Sequence, residues 1–456
     1  MLGQLNSKAS IFSSGLLMIV VIFSSSILSN STTFNNYSTS VLAQPFIETV
    51  KHRDLVIDLG NGIKTNAQLT IPAVGNGPFP GVLLIHGTGT TDMNETVDFI
   101  RIDNQTGSKI YPPTPFFQIA EYLSERGFVV LRYDKRGIGE NNTIQDNNVW
   151  GNLTFDDLKN DAAKALNVLT EQPEVDPNKI TLIGHSEGTV IIPRVVIDLN
   201  NNNNNNNSTG NLTKVANIVL MGTGAQNLID DIAHFQVIDN TLAYAHQVLD
   251  KNHTGSFSVQ QPIEHPNLNH TVATYFGNST TGYVDIENEL KPVLEKIYEN
   301  FTSGYTEAKC SVGTCPKWIE SHEELEPNLS VIGNVSESID ILMMNGENDS
   351  QSTVQQAFLL EQRLTEVNHP DHTLITYPDL GHLFNPSSQW FTEFGPIEQY
   401  VLSDLYRWLS DRTHGALGVL SDNRLEQAQN NTIIPSQKEM ERVGFEPTTS
   451  AHHILF

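Results

Sequence analysis

Short, uninterrupted apolar runs alternate with amphipathic stretches through most of this chain. Pro80–Ile85, Lys179–Ile183, Ile339–Met344 and Thr373–Tyr377 are compact runs rich in Val, Ile and Leu. Runs this short, bounded by turn residues, predict strands buried on both faces of a sheet. The pattern predicts strands over 80–86, 127–134, 179–185 and 215–221, and helices over 115–126, 155–171 and 187–198. Regular strand–helix alternation predicts an α/β fold, with a mostly parallel sheet covered by helices on both faces. Leu55–Leu59 and Ala67–Ile71, joined through Gly60-Asn61-Gly62, read as a leading hairpin. Between Gly222 and Ser338 the alternation stops. Helical patterns at Leu228–Asp250 and Ile286–Phe301 there predict an inserted helical lid. A helix over Ile397–Asp411 completes the pattern, and Asn200–Asn207 reads as a polar loop. The expected organisation is an export segment over 1–43, a core in two parts, 50–222 and 339–412, a lid over 223–338 and a disordered tail over 413–456.

The chemistry sits at the ends of those strands. Gly184-His185-Ser186-Glu187-Gly188 follows an apolar strand and precedes Thr189–Val196, a helix. Strand, tight Gly-flanked turn and helix are the context of a nucleophile elbow. Asn345-Gly346-Glu347-Asn348-Asp349 follows another strand, and Pro378-Asp379-Leu380-Gly381-His382 follows the next. A serine hydroxyl needs an imidazole to take its proton and a carboxylate to hold that imidazole in the right tautomer. Ser186, Asp349 and His382 supply these in order. Glu347 and Asp379 compete with Asp349 for the acid. His86-Gly87-Thr88-Gly89, at the end of the 80–86 strand, suits an oxyanion hole. Thr88 or Gly89 would give one backbone N–H and Glu187 the other. Asp134 and Arg136 read as a structural ion-pair element.

Gly81–Gly89, Pro115–Gly127, Val130–Arg136 and Pro173–Ser186 resemble the α/β-hydrolase superfamily, over residues 50–225 and again over 335–412. Within it they are similar to bacterial and archaeal carboxylesterases that carry an HGSG…D motif followed by LRYDKR. The resemblance implies Ser186, Asp349 and His382 as the triad and activity on short or medium acyl esters. One departure is the stretched segment from Thr91 to Thr114, which bears on the acyl pocket.

Composition narrows the partners. Lys and Arg number 26 against 52 Asp and Glu, a net charge of −26. That field disfavours nucleic acid and anionic membrane surfaces. Near the N-terminus, Leu16–Phe23 is an apolar core preceded by Lys8, and Val41-Leu42-Ala43 is a cleavage candidate. It reads as a signal peptide, or as an anchor spanning 11–28, with the catalytic domain outside the cytoplasm. Asn-x-Ser/Thr sequons agree with export, among them Asn94, Asn104, Asn152, Asn211, Asn278 and Asn300. A glycan at the Asn348 sequon would conflict with the triad. Cys310 and Cys315 are the only cysteines. In an oxidising compartment they read as a small-loop disulfide. A zinc site using His322 has too few ligands nearby. Gly444-Phe-Glu-Pro447 back-translates to a stretch resembling a transfer-RNA T-arm, which reads as run-on into an adjacent gene.

The sequence thus predicts an exported carboxylesterase acting on a small-molecule ester, with no cofactor, no metal and an open oligomeric state. A serine exopeptidase of the same fold is the alternative. For it, Glu320, Glu323, Glu324 and Glu326 would anchor a substrate ammonium, or else form a solvated helix face. A binding protein with a vestigial site is the reading from another class. Phe235, Tyr244, Phe276 and Tyr283 would line a pocket or form the lid's own core. His246, His253, His265 and His270 lack metal-ligand spacing and read as surface or packing residues.

Overall fold

The computed structural model describes residues 49–97, 101–102, 109–110, 112–205, 214–303 and 315–413. The export segment, Asn104, Asn211, Cys310 and the tail beyond Thr413 lie outside them. The chain divides into two compact units, residues 1–402 and 403–456.

Eight strands build the main sheet of the first unit: β1 (Val50–Gly60), β2 (Ile63–Pro72), β3 (Phe79–Ile85), β4 (Val129–Tyr133), β5 (Val175–His185), β6 (Val215–Met221), β7 (Asp340–Gly346) and β8 (His372–Tyr377). Their order is β1-β2-β4-β3-β5-β6-β7-β8. β1 and β2 form the antiparallel hairpin, and β2 pairs antiparallel with β4. Every later pairing is parallel. The hairpin turn uses Gly60, Asn61 and Gly62, all at positive φ, as an Asn-Gly connection requires.

The α-helices of eight residues or more among the described residues are α1 (Pro115–Ser124), α2 (Phe155–Thr170), α3 (Gly188–Asn205), α4 (Lys291–Ser303), α5 (Pro316–Glu323), α6 (Val354–Glu366) and α7 (Gln399–Thr413). α2 opens on a capping box, with Thr154 and Asp157 bonding each other's backbone N–H. Its Leu158, Ala162, Ala165, Leu166 and Leu169 are buried at helical spacing. Leu83 and Ile85 of β3, Leu131 of β4 and Leu182 of β5 join them in one core. α3 runs into the Asn tract as far as Asn205, so residues 200–205 are helical where the sequence predicts a loop. Asn is only mildly unfavourable in a helix, and the buried Val190–Val196 face already fixes the ladder that these residues extend.

Residues 222–338 carry a separate core of Ile238, Tyr244, Phe257, Leu268, Val272, Val284, Ile286 and Leu290. The expected helix over 228–250 is a string of wide π-helical turns interrupted by one α-helical turn, Asn240–Tyr244. Within the second unit, the Arg412 guanidinium lies 4.0 Å from the centre of the Trp408 ring.

Candidate active site

β5 ends at His185 and α3 begins at Gly188, so Ser186 and Glu187 make the turn between them. Ser186 has φ 54°, a strained value for a side chain with a Cβ. A Cβ on Gly188 would lie 2.2 Å from the Ile85 carbonyl oxygen, and one on Gly184 would lie 2.5 Å from the Gly188 carbonyl. Only glycine fits either position. Ser186 donates its N–H to Met221 O at 2.9 Å, and its carbonyl accepts from Thr189 N at 2.9 Å and the Thr189 hydroxyl at 2.6 Å. The strained turn is therefore held from both sides, and Ser186 stays half-buried among buried neighbours.

The loops after β7 and β8 are stitched together. Glu347 N donates to Tyr377 O and Asn348 N to Leu380 O, each at 2.9 Å. A Cβ on Gly346 would meet Leu380 O at 2.2 Å, so glycine permits the close approach. The result puts His382 Nδ1 2.7 Å from Asp349 Oδ2. Asp349 Oδ1 accepts from Gln351 N and Ser352 N, both at 2.8 Å. Glu347 turns away, and its Oε1 accepts from the Thr376 hydroxyl at 2.8 Å. Asp379, at φ 60°, gives its carbonyl to Ser387 N. Asp349 is thus the carboxylate that meets the imidazole. Asn348 Nδ2 donates to Ser387 O at 2.9 Å, which commits the amide a glycan would occupy. The end of β6 backs the imidazole, since a Cβ on Gly222 would lie 3.0 Å from His382 Cε1.

The loop after β3 lies against Ser186. A Cβ on Gly87 would sit 3.0 Å from Ser186 Cβ. Gly87 N donates to Glu95 Oε1 at 2.7 Å, and Lys135 Nζ donates to Gly87 O at 2.5 Å. Thr88 is half-buried, and Gly89 has φ 98°. His86 Nε2 donates to Tyr133 O. Burial, with the nearby Lys135 charge, lowers the His86 pKa to about 4, so this ring is a neutral wedge.

Two buried carboxylates flank the site. Glu187 is fully buried. Its Oε2 accepts from Lys135 Nζ at 3.0 Å, its Oε1 accepts from Trp318 Nε1 at 2.6 Å, and His322 Nε2 lies 2.9 Å away. Burial alone would raise its pKa, but Lys135 and His322 outweigh burial and hold it at about 2. Glu95 lies 3.1 Å from His185 Nδ1, and His185 Nε2 donates to His382 O at 3.0 Å. Burial by itself would lower the His185 pKa. The Glu95 charge and hydrogen bond win and raise it, while the same contact lowers Glu95.

The sequence assigns Glu187 only a backbone N–H and gives Glu95, Lys135, His185 and Trp318 no role. Lys135 lies between the two residues read as an ion pair, yet nothing local signals its partners. Arg136 pairs instead with Asp161, through Nε at 2.8 Å and a terminal nitrogen at 2.6 Å, and with Asp157 at 2.8 Å. Asp134 accepts from Met93 N at 2.8 Å, and burial raises its pKa to about 6. The expected Asp134/Arg136 element is therefore two separate anchors. Cys315 is disulfide-bonded at the N-cap of α5. Tyr244 and Phe276 pack in the core of 222–338, whereas Tyr283 is exposed. His265 is buried and accepts from Leu268 N at the cap of a short helix. Neighbouring Asp230, Glu320 and Glu324 add to partial burial in raising the Glu323 pKa.

The family model Hydrolase_4, described as serine aminopeptidase, S33, matches residues 114–210. That stretch carries β4, α2, β5 and the elbow inside the eight-stranded sheet. The chain has the α/β-hydrolase fold. Within this hydrolase fold, 149 residues are 32% identical to esterase EstD of Thermotoga maritima. The match spans 32% of this chain and 30% of that esterase, under a third of its length. The α/β hydrolase GrgF from a Penicillium species aligns at 14% identity, over 80% of this chain and 99% of its own, with a TM-score of 0.44. A carboxyl esterase from Bacillus coagulans aligns at 16% identity, over 72% and 90%, with a TM-score of 0.41.

Proposed function

We propose that this chain is a serine hydrolase that cleaves short to medium carboxylic esters. The observation that carries the proposal is the Asp349–His382 contact of 2.7 Å, in loops that close on the strained Ser186 elbow. The local likeness to an esterase supports it. Asp349 holds Nδ1–H, which leaves Nε2 of a neutral His382 to take the Ser186 proton. Ser186 Oγ then attacks the acyl carbon. The oxyanion accepts hydrogen bonds from the Thr88 and Glu187 amides. The imidazolium returns its proton to the departing alkoxide, and an acyl-serine remains. Water, activated by the same imidazole, releases the acid and restores the serine.

The proposal extends to placement and access. Residues 223–338 act as a lid over the acyl site, which excludes water and shapes specificity. Residues 1–43 direct export or anchor the chain, so the catalytic domain works outside the cytoplasm. The apolar core at Leu16–Phe23 and the sequons favour this placement. Among the described residues no helix is long and apolar enough to cross a membrane.

The serine aminopeptidase description of the matching family model favours a second reading, an exopeptidase. Esters leave without much help, whereas amides need a well-placed proton donor and a charged anchor for the free terminus. One assay separates the two, with p-nitrophenyl butyrate and aminoacyl p-nitroanilides run side by side on the purified protein. An ester preference in kcat/KM of roughly 100-fold or more is expected. Preference for anilides, lost in Glu323→Gln/Glu324→Gln, would make the peptidase the better reading.

A further inference from the structure

We infer that Lys135 is a positioning residue that sets and polarises the oxyanion hole, by holding both of its halves with one buried ammonium. The inference deepens the serine-hydrolase reading above and rests on it. Lys135 is 2% exposed and Glu187 is fully buried. The Lys135 Nζ donates to Gly87 O at 2.5 Å and to Glu187 Oε2 at 3.0 Å. Gly87 belongs to the loop after β3, and Glu187 follows the nucleophile. These are the two segments whose amides face the developing oxyanion.

The first contact bears directly on a donor. Gly87 O and Thr88 N–H belong to one planar peptide unit, and that bond is trans. In a trans peptide the C=O and N–H point in opposite directions. An ammonium fixed on the oxygen therefore fixes where the N–H points. It also draws electron density toward the oxygen and makes the N–H a stronger donor. Glu95 Oε1 holds the preceding amide, Gly87 N, at 2.7 Å. The residue before Thr88 is thus clamped at both its N–H and its C=O by opposite charges.

The second contact fixes the other half. The Glu187 side chain is tied by Lys135, Trp318 and His322, so its Cα and amide have little freedom to turn. Trp318 and His322 lie on α5 and touch the elbow through the Glu187 carboxylate. A buried Lys–Glu pair adds little net stability over apolar residues of similar size. Its arrangement around two amide donors gives it a purpose that stability does not. Donors aligned before the reaction need no reorganisation when charge develops.

Kinetics of the full-length protein test this with five variants. Lys135→Met should lower kcat for p-nitrophenyl butyrate by about 10–100-fold, somewhat less than outright loss of a donor. KM should stay within about twofold, because the ground-state carbonyl makes weaker use of the hole. The Ki of a trifluoromethyl ketone, which forms an anionic adduct on the serine, should rise by the same factor as kcat falls. Lys135→Arg should recover most of the loss. Trp318→Phe removes one of three ties on the Glu187 carboxylate but leaves Lys135 on both Glu187 and Gly87, so it should lower kcat less than Lys135→Met does. A role in stability alone would lower the melting temperature without splitting kcat from KM. If Lys135→Met does not fold, Lys135→Gln decides by the same split. A Lys135→Met or Lys135→Gln protein that folds with kcat and Ki within about threefold of the parent overturns the inference, provided Ser186→Ala is inactive. An active Ser186→Ala would instead overturn the serine-hydrolase reading.

Discussion

Asp349 spends both carboxylate oxygens on fixed partners, one on His382 Nδ1 at 2.7 Å and the other on the amides of Gln351 and Ser352. The carboxylate is therefore locked in one orientation, and so is the imidazole it meets. Asp349→Asn would keep the two amide bonds through its oxygen but present an N–H to the ring. That selects the wrong tautomer. We expect kcat to fall by about 10³–10⁴-fold with the fold retained, measured as ester turnover beside a thermal melt. Turnover within tenfold of the parent would remove Asp349 from the mechanism.

The elbow predicts a sharp contrast between glycines. Gly188→Ala places a methyl 2.2 Å from a backbone oxygen that has no room to move. Gly62→Ala meets nothing within 4 Å and pays only for its φ of 78°. Gly62→Ala should cost about 1 kcal/mol. Gly188→Ala should cost more than about 3 kcal/mol or abolish soluble expression. Urea unfolding of the two variants checks this, and equal costs would contradict the elbow geometry.

Acid stability should depend on His265. Burial lowers its pKa from 6.5 to about 4. Above pH 6.5 neither state is protonated, and the group does not matter. Between 6.5 and 4 the unfolded chain binds the proton and the folded chain does not, so stability falls as pH falls. The loss integrates to about 3 kcal/mol near pH 4. His86, also lowered to about 4, adds in the same direction. His265→Asn keeps a capping acceptor for Leu268 N and removes the titration. Its denaturation midpoint should match the parent at pH 7.5 and exceed it at pH 4.5. Parallel curves for the two proteins would refute this.

Much of the fold is legible because alternating apolar runs report a parallel sheet directly, and because Ser186, Asp349 and His382 each follow one of those runs. Between Glu347 and Asp349 side-chain direction alone does not choose, since both lie on one turn, and only the family resemblance favours Asp349. In the structure the choice follows from how that turn is laced to the loop of Leu380. The charged cluster under the loop after β3 is equally silent. Glu187 and Trp318 are 131 residues apart, and no local pattern announces a buried pair at such separation. The wide turns over 228–249 also escape, because they bury their apolar residues at a spacing close to that of an ordinary helix.

The most direct test of the account is covalent labelling with a fluorophosphonate, read by mass spectrometry of the digested protein. A single stoichiometric adduct on Ser186 is expected. Ser186→Ala should abolish both the adduct and ester turnover, with kcat down about 10⁴–10⁶-fold, while the melting temperature stays within a few degrees. An adduct on another residue, or ester turnover that survives in Ser186→Ala, would contradict it.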